Sequence, residues 1–200
     1  MTATDNVPAT PVLGRFADPG PLGLAAFALT TFVLSTVNAG LLPKTVEGVV
    51  FGLALFYGGL SQFAAGLWEF AKGNTFGATA FCSYGGFWMA FWYLAAHTDL
   101  SKASASDAGH GVGVFLLGWT IFTGYMFLAS LRTTGAIAAV FAALFLTFLL
   151  LAVGALAASA TITKVGGWLG IITAVLAWYA SFAGVFNETA KRVVLPVLPR

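Results

Sequence analysis

The 200-residue chain is 59% hydrophobic and only 8% charged, with a formal net charge of +2 and a mean hydropathy of +0.91. A soluble domain carries about 25% charged residues, so these figures exclude an ordinary cytosolic fold and indicate an integral membrane protein. The near-neutral balance argues against nucleic acid as a partner, and the single cysteine, Cys82, excludes an intrachain disulfide or a cysteine-only metal site.

Residues 1–17 are polar and proline-bearing (Pro8, Pro11), lack the basic and apolar regions of a cleaved signal, and read as a mobile cytoplasmic tail. At Asp18-Pro19-Gly20-Pro21-Leu22-Gly23-Leu24 the chain turns into its first apolar run. Pro21 suits an early helical position, where no amide hydrogen is missed. The positive end of the helix that follows can hold a carboxylate, either Asp18 itself or a ligand.

A helix needs roughly 20 apolar residues to cross a bilayer, and six stretches reach that length. They run from Pro21 to Leu42, about Glu47 to Trp68, Thr75 to Ala96, Gly111 to Leu131, Gly135 to Ala158 and Val165 to Phe186. Their cores hold no Asp, Lys or Arg, and Glu47 marks only the start of the second. The predicted fold is an all-α membrane protein of six transmembrane helices over residues 18–190, with a C-terminal tail over 191–200. Arg15, Lys72, Arg132, Lys191, Arg192 and Arg200 fall on the face that carries both termini; Lys44, Lys102 and Lys164 fall on the other. That bias places both termini in the cytoplasm. The runs are too long and continuous for barrel strands of about ten residues. Gly73/Gly77 and Gly166/Gly170 have GxxxG spacing but straddle predicted helix ends, where loop flexibility explains them as well as packing does.

No HExxH, GxSxG or phosphate-binding glycine loop is present, and the two histidines, His97 and His110, flank a polar loop. Enzymatic chemistry is therefore not indicated, and neither is a metal or other cofactor. The polar groups at depth are neutral. Thr31, Ser35 and Asn38 share one face of the first helix, with Phe27 a turn earlier. Tyr57, Ser61 and Gln62 lie in the second helix, Ser83 and Tyr84 in the third, Thr147 in the fifth. Amides in hydrocarbon need partners, so Asn38 and Gln62 either bond between helices or line a path for a small polar solute. A stripe of hydroxyls and amides without fixed charge suits a small anion or its neutral acid. Trp68, Trp92, Tyr93 and Trp168, near helix ends, fit interfacial belts.

Three motifs carry a resemblance: the Asp18–Leu24 turn, Phe56-Tyr57-Gly58-Gly59-Leu60-Ser61-Gln62 running on to Gly66-Leu67-Trp68-Glu69, and Gly73-Asn74-Thr75-Phe76-Gly77 with Ser83-Tyr84-Gly85-Gly86-Phe87-Trp88. With Asn187-Glu188 and Val194-Leu195-Pro196 they span nearly the whole chain. The sequence resembles the acetate uptake transporter family of six-helix acetate/succinate permeases. The resemblance implies proton-linked or channel-like passage of acetate and other short carboxylates, one path per subunit of a ring-shaped homohexamer, in the cell membrane. It implies a constriction at Phe27, Tyr84 and Leu144, an entrance near Asp18 and Leu24, and a position affecting substrate size at Ala177. Asp18 replaces the signature asparagine and Gly20 its alanine, and a carboxylate at an anion's entrance needs capping or protonation. The competing expectation is a structural or sensory membrane protein in which the same motifs serve packing.

Overall fold

The computed structural model describes residues 16–198. The N-terminal tail through Arg15 and the terminal Arg200 lie outside the described residues. Among the described residues the chain forms six α-helices and no strand. They are α1 (Gly20–Asn38), α2 (Gln62–Ala71), α3 (Thr75–His97), α4 (Ala105–Ser130), α5 (Gly135–Leu156) and α6 (Ala160–Ala190). The second span is broken: a 3₁₀ turn, Lys44–Val50, leads into a π-helical stretch, Leu53–Ser61, and only then into α2. Five spans are long and apolar enough to cross a membrane, α2 counting together with its preceding turns from Lys44. The sixth, α3, has 23 residues, long enough for the task, but its Gly, Ser, Tyr and Trp lower its hydropathy.

Several boundaries differ from the sequence expectation, and capping explains them. The Ser104 hydroxyl accepts the Asp107 amide at 3.0 Å and donates to the Asp107 carboxylate at 2.7 Å. This starts α4 within the expected polar loop, so Asp107 and His110 are helical. Ser159 caps α6 through the Ile162 amide, so Lys164 lies inside that helix rather than in a loop. Gly166 and Gly170 therefore sit in the body of α6, and loop flexibility is not their explanation. A Cβ on Gly170 would lie 2.3 Å from Ser35 Oγ, and one on Gly167 would lie 2.2 Å from the backbone nitrogen of Ala39. These glycines let α6 and α1 touch backbone to backbone.

Going round the bundle, α3 packs on α2 and its π-helical lead-in, these on α1, α1 on α6, α6 on α5 and α5 on α4. The ring is nearly open between α4 and α3, where contacts are sparse. Its centre is aromatic. Tyr84 is buried with ring centroids of Phe27, Trp119, Phe122, Phe141 and Phe148 within 6.5 Å, and its hydroxyl pairs with Thr123 Oγ1 at 2.9 Å. Outward residues are large and apolar, including Val114, Ile121 and Leu128 on α4 and Trp168, Ile172 and Phe182 on α6. Such a surface suits lipid or another subunit, not water.

Residues 191–198, beyond α6, fold back on the bundle. Asn187 Oδ1 accepts the amides of Val194 and Leu195, Tyr179 Oη donates to the Pro196 carbonyl, and the Gly135 and Ala136 amides donate to Leu198 and Val197. The segment thus satisfies two open amides at the start of α5.

Gly167→Val drives a side chain into the backbone of α1 and is expected to cost more than the ~1–3 kcal/mol typical of overpacking. Gly52→Ala, where a Cβ meets nothing within 4 Å, leaves the melting temperature in detergent unchanged. Melting curves of the two variants check the contrast.

Candidate permeation path

Three cavities follow one another through the bundle. The first, about 370 Å³, opens beside the start of α1 and is walled by Asp18, Pro21, Leu24, Glu69, Lys72, Asn74, Phe141 and Val197, among others. The second, about 20 Å³, shares Leu24, Ala80, Phe81 and Phe141 with the first and adds Phe27, Gln62, Tyr84 and Leu144. The third, about 30 Å³, shares Phe27 and Leu144 with the second and adds Thr31, Ser35, Asn38, Trp88 and Thr147. The chain of shared walls runs from Asp18 at the beginning of α1 to Asn38 at its end. Phe27 and Leu144 stand between the two small cavities, with Tyr84 on the side of the second.

The mouth gathers the N-termini of three helices. Gly20 and Pro21 open α1, Asn74 and Gly77 open α3, and Thr134, Ala136 and Ile137 open α5; all line the first cavity. Converging positive helix ends favour an anion. Most of the nearby amides are already capped: Gly20 N–H donates to Asp18 Oδ1 (3.0 Å), Gly77 N–H to Asn74 Oδ1 (3.1 Å) and Ile137 N–H to Thr134 Oγ1 (3.3 Å). What remains at the mouth to favour an anion is the helix dipoles and the Lys72 ammonium.

Asp18 is offset at this mouth. Lys72 Nζ lies 2.9 Å from its carboxylate, with the two side chains 28% and 55% exposed. The sequence missed the other carboxylate. Glu69 is only 2% exposed and accepts a hydrogen bond from Asn74 Nδ2 at 2.8 Å. Asn74 thus holds Glu69 with its amide nitrogen while capping α3 with its amide oxygen. In the sequence Glu69 and Asn74 stood out only as members of two neighbouring motifs.

The expected path residues divide. Leu24, Thr31, Ser35, Asn38 and Gln62 line the cavities, as do Phe27, Tyr84 and Leu144. Ala177 is fully buried in the aromatic core without lining any of the three. Tyr57, Ser61 and Ser83 are half-buried and line none of them. Tyr57 and Ser61 stand in the π-helical stretch, whose winding takes more residues per turn than an α-helix, so α-helical spacing misreads their directions. Gln62 begins the α-helix that follows, 1% exposed, with its Oε1 lacking a hydrogen-bond partner. Trp88, known from the sequence only as part of a motif, lines the third cavity, and its buried indole Nε1 has no hydrogen-bond partner.

Removing Asn74 both uncaps α3 and strands a buried carboxylate. Asn74→Ala is expected to cost about 2 kcal/mol or more. Asp18→Asn breaks only an exposed pair and should cost less than about 1 kcal/mol. Chemical denaturation in detergent distinguishes these magnitudes.

Comparison with known proteins gives one consistent result. The sequence profile described as the GPR1/FUN34/yaaH family matches residues 3–200. The "Succinate-acetate/proton symporter SatP" of Escherichia coli is 40% identical over 185 residues, covering 92% of this chain and 96% of that one. The "Ammonia transport outward protein 2" of Saccharomyces cerevisiae is 46% identical over 187 residues, covering 90% of this chain and 66% of that one. The chain spans about two thirds of the length of such fungal relatives. A solved structure described as the bacterial acetate channel SatP superposes with a TM-score of 0.84 at 38% identity, covering 92% of this chain and 99% of that chain.

Proposed function

The chain belongs to the GPR1/FUN34/yaaH family, and from that premise we propose that it carries acetate and other short monocarboxylates, succinate among its larger candidates, across the cell membrane. The observation that carries the reading is the file of three cavities, which runs from a mouth of helix N-termini to Asn38 and narrows where Phe27 and Leu144 part the second from the third. The acid is drawn to the mouth by Lys72 and the helix dipoles. It passes Gln62, crosses the Phe27/Tyr84/Leu144 constriction, and meets Thr31, Ser35 and Asn38 beyond. Ala177 tunes substrate size through the packing behind that constriction.

Neither small cavity is lined by an ionisable Asp, Glu, His, Lys or Arg. A proton relay through side chains has no station there, so a coupled proton travels on the acid itself. The same feature speaks against ammonium, since a cation at the constriction would want a carboxylate. Both termini lie in the cytoplasm, as the excess of basic residues at their end of the bundle indicates. The assembly is a ring-shaped homohexamer with a path in each subunit, and the exposed apolar faces of α4 and α6 are suited to neighbouring copies.

Proteoliposomes holding the purified protein are expected to take up radiolabelled acetate above empty vesicles, faster when the outside is acidic. Absence of flux would favour a structural or sensory role. Leu144→Ala opens the narrowing and should admit lactate or succinate several-fold better relative to acetate. An unchanged uptake profile would remove Leu144 from the constriction.

A further inference from the structure

The wall of the first cavity has one part that is not helical framework. Its lining residues lie in a helix or within two residues of a helix end, except Val197, which stands seven residues beyond the end of α6. The irregular segment 191–198 brings it there. Lys191, in the left-handed region at φ 53°, turns the chain back after α6, and the segment then reaches the start of α5 beside the mouth.

Hydrogen bonds, not apolar burial, hold this segment. Asn187 clasps it three times: its Oδ1 accepts the Val194 and Leu195 amides at 2.8 and 2.9 Å, and its Nδ2 donates to the Leu195 carbonyl at 2.9 Å. Tyr179 Oη donates to the Pro196 carbonyl at 2.6 Å. The Gly135 amide donates to the Leu198 carbonyl at 2.7 Å and the Ala136 amide to that of Val197 at 3.2 Å. Little apolar packing backs these bonds, since Val193 is 77% exposed and Leu198 66%. Leu198 also sits at φ 53°, a left-handed conformation that a residue with a side chain holds only at a cost. Segments with exposed hydrogen bonds and little packing open more readily than the core they rest on. Nor does α5 depend on this one to begin. Thr134 caps that helix through the Ile137 amide, and water in the open mouth can take the Gly135 and Ala136 amides when the segment leaves.

We propose that residues 194–198 are a displaceable strap over the mouth of the path, latched by Asn187. In place, the strap narrows the entrance with Val197 and lays two carbonyl groups over the positive end of α5. Displaced about the Lys191 turn, it widens the entrance and removes those carbonyl dipoles from the end of the helix that favours an anion. The proposal rests on the transport reading above and adds control of entry to it. The strap acts on how readily a carboxylate enters and leaves the Phe27/Tyr84/Leu144 narrowing as it is.

The test locks and releases the strap in the full-length protein. A Cβ on Gly135 would lie 2.8 Å from that of Leu198. Gly135→Cys with Leu198→Cys, in a Cys82→Ala background, therefore sets two thiols within bridging reach once the exposed strap shifts to the ~3.8 Å of an ordinary disulfide. In proteoliposomes, oxidation of this pair should slow uptake of radiolabelled acetate several-fold and dithiothreitol should restore it. Cys82→Ala alone should respond to neither reagent. Asn187→Ala removes the latch without touching the cavity wall. It should raise hydrogen–deuterium exchange at the Gly135 and Ala136 amides roughly tenfold and speed uptake several-fold at low acetate, with Tyr179→Phe giving a smaller change in the same direction. Where the bridge does not form, exchange and uptake in Asn187→Ala decide. Equal uptake by bridged and reduced protein overturns the strap while leaving the transport reading intact. So does Asn187→Ala with either exchange or uptake unchanged. Wild-type protein without acetate flux overturns the transport reading and the strap with it.

Discussion

Hydrocarbon offers no hydrogen bonds, so each polar group that this bundle buries has to be satisfied from within. Most are. Buried threonines turn back on their own helices, Tyr84 and Thr123 satisfy each other, Ser181 donates to the carbonyl of Pro21, and Glu69 is held by Asn74. Among the described residues, three fully buried side-chain atoms lack partners: Thr31 Oγ1, Gln62 Oε1 and Trp88 Nε1. All three belong to residues lining the two small cavities on either side of Phe27 and Leu144. Unpaired polarity is therefore not scattered through the protein. It is confined to the line that the proposed path follows.

The packing that creates this line depends on glycine. Gly170 sits against Ser35, Gly167 against the end of α1, and Gly58 against Thr30, each closer than a Cβ would permit. These contacts press α1 between α6 and the π-helical stretch, so the face bearing Phe27, Thr31, Ser35 and Asn38 stays against the bundle interior. Aromatic rings then fill the centre around Tyr84. The remaining gaps are small because the rings tilt and interlock. A narrowing built of such rings excludes water without bearing charge, which is what a path for a weak acid requires.

Much of this architecture was legible in the sequence, and the exceptions have physical reasons. Six apolar runs gave the helices because membrane spans are read by length and continuity, and these hardly depend on tertiary context. Helix ends were misjudged where a serine cap recruits polar residues into the first turn, as Ser104 does for Asp107 and Ser159 does ahead of Lys164. The π-helical stretch left no sign in the pattern of Leu53–Ser61, and Tyr57 and Ser61 within it line none of the three cavities. The Thr31, Ser35, Asn38 stripe was readable from spacing alone. The grouping of Phe27, Tyr84 and Leu144 came from family resemblance, since no local pattern links residues on three different helices. Trp88 stayed hidden because a deep tryptophan looks like packing until its nitrogen is found without an acceptor.

Asp18 is best understood together with what surrounds it. Alone, a carboxylate in place of the signature asparagine would oppose an incoming anion. Here it accepts the Gly20 amide, as an asparagine oxygen would, and its added charge is met by Lys72. The substitution keeps the turn and exchanges a neutral cap for an ion pair. Lys72 offsets Asp18 at rest, and on the proposed reading an arriving carboxylate competes for the same ammonium. Being partly exposed, that pair is weak and screened by salt, so it yields to a substrate at little cost. The mouth then differs from the interior in kind. At the mouth stand the charged side chains of Asp18, Glu69 and Lys72; beyond the narrowing the cavity is lined by neutral hydroxyl, amide and indole groups. A path with its charges at the entrance and none at depth can pass a weak acid in either form without holding on to it.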